Sequence, residues 1–105
     1  VTENFVIGVY SAPSQPGALS AFRFAEAVLS QNHTISQIFF YQEGILNALY
    51  VRPFVSLRVP LLACATALYH QNISLDQLAK GFEAGTLTQF FDALLKASRY
   101  IIFGN

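Results

Sequence analysis

The sequence predicts an α/β protein built on a mainly parallel, five-stranded sheet. Three observations carry that prediction. The chain opens as strand, helix, strand with short connections, the βαβ unit that sets strands parallel under a covering helix. Its strand-like runs are continuously apolar, as strands buried on both faces are. Its 105 residues suit one domain, expected to span residues 1–105, with a single modest core.

Taken in order, Phe5–Tyr10 (FVIGVY) is the first strand, short, apolar and β-branched, and the turn cluster SAPSQPG at Ser11–Gly17 ends it. Ala18–Gln31 is an amphipathic helix. Leu19, Phe22, Ala25, Val28 and Leu29 form its inner face, with Ser20, Arg23 and Ser30 off it. NHT closes this helix. Ile35–Tyr41 (ISQIFFY) is the second strand, ended by QEG. Ile45–Arg58 is the hardest stretch to place. A right-handed crossover between parallel strands calls for a helix there, but Pro53 interrupts a long one, so a short helix at Ile45–Tyr50 remains. Val59–Ala63 is the third strand. ATALYHQN, directly after Cys64, is a helix ending near Asn72. Phe82–Ala84 is a short fourth strand. Leu87, Phe90, Phe91, Leu94 and Leu95 mark the clearest helix, at i, i+3, i+4, i+7 and i+8. Thr86 is its N-cap, and Asp92 with Lys96 is an i,i+4 pair. Tyr100–Gly104 (YIIFG) is the last strand.

Composition narrows the function. Six basic and six acidic residues give zero formal charge, so nothing draws the chain to nucleic acid or to an anionic membrane. The longest apolar stretch, within Val59–Tyr69, is well short of a membrane span. The chain does not begin with a charged segment and apolar run of the kind that marks a signal peptide. A single cysteine cannot form an internal disulfide, which points to a reducing, cytoplasmic setting. Charged residues are only 11% of the chain, where about 25% is ordinary for a soluble domain. The expectation is an oligomer subunit with part of its surface buried in an interface.

In open α/β sheets, ligands bind beyond the carboxyl ends of the strands. The first such loop, Ser11–Gly17, has the small residues of a phosphate cradle but neither G-x-x-x-x-G-K-[ST] nor G-x-G-x-x-G. A flavodoxin-like module for a phosphate-bearing ligand therefore stays open beside an ordinary turn. Asp76 and Asp92 are not clustered at strand ends, so a phosphoacceptor site fails. His33, His70 and Cys64 lack metal-ligand spacing, and no metal is expected. No G-x-S-x-G supports a serine hydrolase. Glu43 lacks a partner for paired-carboxylate work. Cys64 has a physical reason to react. It stands where a strand gives way to a helix, and the partial positive charge of a helix start favours thiolate. The opposite reading, a small buried hydrophobe, is also ordinary for a free cysteine.

Four segments resemble the TusD/DsrE family of sulfur-relay proteins: SAFRFAEAVLSQNH (Ser20–His33), FFYQEGI (Phe39–Ile45), LLACATALYHQNI (Leu61–Ile73) and KGFEAGTLTQFFDALLKASRYIIFG (Lys80–Gly104). The resemblance implies a flavodoxin-like, three-layer α/β/α fold without metal or flavin. It implies that Cys64 carries a persulfide, with Tyr41 and Glu43 as candidate neighbours. It implies sulfur-donor and sulfur-acceptor proteins as partners, in tRNA 2-thiouridine synthesis or sulfur oxidation, and related subunits gathered into a hexamer. The rival within the same resemblance is a structural subunit with Cys64 merely buried. The chain departs from the family around Arg52–Leu57, where a helix is expected, and between Ile73 and Gly81, where the segment is short.

Overall fold

The computed structural model describes residues 2–105; Val1 lies outside the described residues. Five strands, β1 (Asn4–Val9), β2 (Thr34–Phe40), β3 (Leu61–Cys64), β4 (Phe82–Gly85) and β5 (Arg99–Phe103), form one sheet in the order β4-β3-β2-β1-β5. Every pairing is parallel. Three α-helices accompany them: α1 (Pro16–Ser30), α2 (Ala65–His70) and α3 (Leu87–Lys96). All five expected strands and the three main helices are present, within a few residues of their expected ends.

The strand order explains the layers. From β1 to β4 the chain steps steadily toward one edge, then returns past β1 to place β5. A right-handed crossover that reverses direction carries its helix to the opposite face. On one face Phe5 meets Phe24 of α1 at 5.8 Å, and Phe24 meets Phe103 at 5.6 Å. Phe40 meets both Phe54 and Phe82 on that side. On the other face Phe39 stacks on Phe90 of α3, with centroids 4.6 Å apart and planes 10° from parallel. Such a pair adds about 0.5–1.5 kcal/mol beyond its area. Gly8 makes room for this stack, because a Cβ there would press on the Phe90 ring and on Ile102.

Helix α1 corrects one detail. Its buried stripe is Ala18, Ala21, Ala25 and Val28, whereas Leu19 is 52% exposed. Small residues let the helix lie close to the sheet, and Phe22, Phe24 and Leu29 pack along its flanks. Both α1 and α2 end alike. Asn32 and Asn72 take the left-handed conformation, at φ 64° and 57°. His33 N–H returns to the Val28 carbonyl and Ile73 N–H to the Leu68 carbonyl. These bonds satisfy carbonyls that a helix end leaves open.

The β2–β3 crossover contains no α-helix. Gln42–Leu49 is a 3-10 helix where a short helix was expected from Ile45 to Tyr50, and a second 3-10 turn covers Phe54–Leu57. Between β3 and β4, Leu75–Gln77 forms one more 3-10 turn.

Candidate functional site

The carboxyl ends of the strands gather Cys64, Tyr41, the Ser11 loop, the Gln42–Leu49 segment and the Thr86 cap. Cys64 is the last residue of β3 and the N-cap of α2. It pairs in register with Gly85 of β4. On its other side β2 and β3 pair up to Phe40 and Ala63, the residues just before Tyr41 and Cys64. The thiol is free and buried, at 4% exposure, among apolar neighbours. The helix it opens has only six residues.

The β4 flank of Cys64 is tight for identifiable reasons. A Cβ on Gly85 would reach the Leu62 side chain at 3.0 Å and Gln89 Oε1 at 3.2 Å. The next residue, Thr86, opens α3 with a capping box. Its Oγ1 accepts the Gln89 N–H at 3.1 Å, and its own N–H donates to Gln89 Oε1 at 2.7 Å. Strand β4 therefore turns into α3 without a loose loop beside the thiol.

The two expected neighbours of Cys64 part company. The Tyr41 ring leans toward β1, against Tyr10 at 5.6 Å and Phe90 at 5.9 Å, with its edge over Gly8. The ring therefore packs toward β1 and α3. Burial, and then the neighbouring Tyr10, push the Tyr41 phenol above its ordinary value, so it stays a neutral donor at physiological pH. Glu43 is exposed, in the first turn of the 3-10 segment.

Asn47 and Gly44 are structural residues of this end that the sequence reading missed. Asn47 is 4% exposed, and its Nδ2 donates to the carbonyls of Ser11 and Gly44, each at 2.9 Å. One side chain thus ties the loop after β1 to the segment after β2. Gly44 lies so close to β1 that a Cβ would run into the Val9 carbonyl. The signal was the Gly-x-x-Asn spacing inside an apolar run. The Ser11–Gly17 loop is packed at its base: Ser11 is 1% exposed, and a Cβ on Gly17 would meet both Ser11 Oγ and the Gly104 backbone. Among the described residues no three His, Cys, Asp or Glu side chains converge as a metal site, and no helix is long and apolar enough to cross a membrane.

Comparison with known proteins gives this site its setting. The chain resembles the sulfurtransferase TusD homolog of Haemophilus influenzae, 31% identical over 123 aligned positions that take in 93% of this chain and 98% of that protein. That alignment is longer than the chain itself, so the relative carries internal residues that this chain lacks. A shorter match reaches the TusD homolog of Aliivibrio fischeri, 71% identical over 28 residues, which is 27% of this chain and 22% of that protein. Another reaches the homolog of Pseudomonas aeruginosa, 43% identical over 45 residues, 43% of this chain and 34% of that protein. Among solved structures, the YchN protein of E. coli superposes with a TM-score of 0.82 at 19% identity, covering 98% of this chain and all of that one. MTH1491 of Methanobacterium thermoautotrophicum, a protein of unknown function, gives 0.77 at 14% identity, over 95% of this chain and 98% of that one. These two show the shared fold. The DsrE/DsrF-like family model matches residues 3–57, and with the full-length Haemophilus relative it shows that the chain belongs to the DsrE/DsrF-like family.

Proposed function

We propose that this chain is a sulfurtransferase that carries sulfane sulfur on Cys64 between two protein partners in a sulfur relay. The observation that carries the reading is the placement of the sole cysteine. It ends an inner strand and opens a helix, at the carboxyl end of the sheet where α/β proteins place their sites. The relatives named sulfurtransferase TusD support it.

The step balances without an oxidant. Cys64 thiolate attacks the outer sulfur of a donor persulfide, the donor's S–S bond breaks, and the donor leaves as thiolate. An acceptor thiolate then attacks the outer sulfur of Cys64–S–SH, and Cys64 leaves as thiolate again. Such exchange proceeds in a reducing compartment such as the cytoplasm and needs access more than a pocket. Thiouridine synthesis in tRNA and sulfur oxidation are the two settings expected for the relay. The buried thiol favours one rival reading, a structural subunit of the same assembly.

Mass spectrometry after exposure to a persulfide-loaded donor protein separates the two. A gain of one sulfur (about 32 Da, as a reversible persulfide cap) on wild type and not on Cys64→Ser is expected. No gain, with a donor that loads another acceptor, leaves the structural subunit standing.

The partner subunits have a surface to meet. Leu87, Phe91 and Leu95 of α3 and Tyr100 and Ile102 of β5 are all exposed, from 43% to 86%. Tyr100 and Ile102 alternate onto the face that α3 covers only in part. This apolar face, in a chain of low charge, supports assembly with related subunits into an oligomer, a hexamer being the expected size.

A further inference from the structure

A cavity of about 670 Å³ opens at the end of the sheet opposite Cys64, between the C-terminal half of α1 and the first residues of β1 and β5. Phe5, Phe24 and Val28 make its apolar floor, and His33, Ser98 and Arg99 make its polar rim. Each rim residue has a donor to give. His33 Nδ1 accepts the Glu3 N–H at 2.9 Å, so the neutral ring carries its proton on Nε2. Ser98 Oγ accepts the Asn4 N–H at 3.0 Å, which leaves its hydroxyl proton free to donate. Among the described residues Arg99 has one ion-pair partner, Glu3, held through Nε at 3.7 Å. Its terminal N–H groups are not used in that pair. No acidic side chain lines the cavity itself.

We propose that this cavity binds a small organic anion, with an aromatic body on the phenylalanine floor and a carboxylate or sulfonate head on the Arg99 rim. The volume lies within the range of small-molecule sites, about 300–1,000 Å³, and the walls combine apolar side chains with a few convergent polar groups. A rim of donors complements a head that only accepts, and charge-assisted bonds to such a head are the strong ones. A cationic head would face a guanidinium and find no carboxylate in the lining.

The test uses 8-anilino-1-naphthalenesulfonate and its neutral counterpart N-phenyl-1-naphthylamine. Fluorescence reads affinity and backbone amide shifts read location. The expected result is saturable binding of the sulfonate with shifts at Phe5, Ala27, His33 and Arg99, and weaker binding of the neutral compound. Arg99→Gln is expected to weaken the sulfonate about tenfold or more, as loss of a charge-assisted bond implies. Ala27→Phe, at an exposed helix position, is expected to fill the cavity and abolish binding. Tyr69→Ser, at an exposed aromatic of α2 outside the cavity lining, is expected to change nothing. Shifts confined to α3 and Ile102, equal affinity for the neutral compound, or an Arg99→Gln variant that binds as well as wild type would each overturn the proposal. So would cavity amides that move with protein concentration alone, since a second copy would then be the occupant.

Discussion

Asn47 is held inside a short apolar segment because it has two carbonyls to satisfy. Its amide bonds Ser11 and Gly44, and a buried carbonyl left unpaired costs about 1–3 kcal/mol. Asn47→Ala is expected to lower stability by about 2–3 kcal/mol on that basis, read as a fall in the urea midpoint at unchanged slope. An unchanged midpoint would mean that water replaces the amide. Tyr41 makes a second prediction. Its phenol titrates above its ordinary 10.0 in the folded chain because burial, then Tyr10, disfavours the anion. The neutral form is therefore the one the fold prefers. The stability it lends is whole below the ordinary tyrosine value and is lost as pH climbs from there through the folded value. Thermal melts across that alkaline window should fall more steeply for wild type than for Tyr41→Phe. Parallel curves would show that the phenol titrates no differently in the fold. Cys64 was legible as a position because apolar strand gives way to small helix-forming residues there. The direction of the Tyr41 ring was not, since it depends on the space left by Gly8 on the neighbouring strand β1.

At the scale of elements, the sequence spoke clearly wherever local chemistry decides. Thr86 caps α3 as its spacing to Gln89 allows, and Lys96 reaches Asp92 at 3.1 Å, an exposed pair that adds only a few tenths of a kcal/mol. The Gln-Asn pairs at the ends of α1 and α2 are equally local. Asparagine tolerates the left-handed region that other side chains enter at a cost of roughly 1–2 kcal/mol. Asn72→Gly is thus expected to hold or raise stability. Asn72→Val should lower it by about 1 kcal/mol or more, read as a shift in the thermal midpoint. Equal midpoints would mean that this helix end frays in both. The 3-10 segment Gln42–Leu49 was not legible as such. Its geometry is fixed by the approach of Gly44 to Val9 and by the Asn47 bond to Ser11, contacts with β1 and the loop after it, more than thirty residues earlier. Inner faces were misread for a related reason. Periodicity reports which residues share a face, and the neighbours decide how much of that face is covered.

Helix α3 shows what that means for the whole molecule. It has the plainest apolar stripe of the chain, yet only Phe90 is buried, while Leu87 is 43%, Phe91 56% and Leu95 86% exposed. A monomer would present this stripe to water together with Tyr100 and Ile102 of the edge strand. Exposed apolar groups gathered on one face mark interaction surfaces. With charged residues at 11% of the chain, little elsewhere on the surface would offset the loss of solubility. The double substitution Phe91→Asp, Leu95→Glu places two charges on the stripe and leaves Phe90 stacked on Phe39 in the core. If this face joins subunits, wild type should sediment as an oligomer and the variant as a monomer, with the thermal midpoint of the variant independent of protein concentration. Helix content by circular dichroism should stay the same in both. A wild-type protein that remains monomeric at tens of micromolar would remove the face from the assembly. An oligomer that survives the double substitution would move the interface to another surface, the free edge of β4 being next to test.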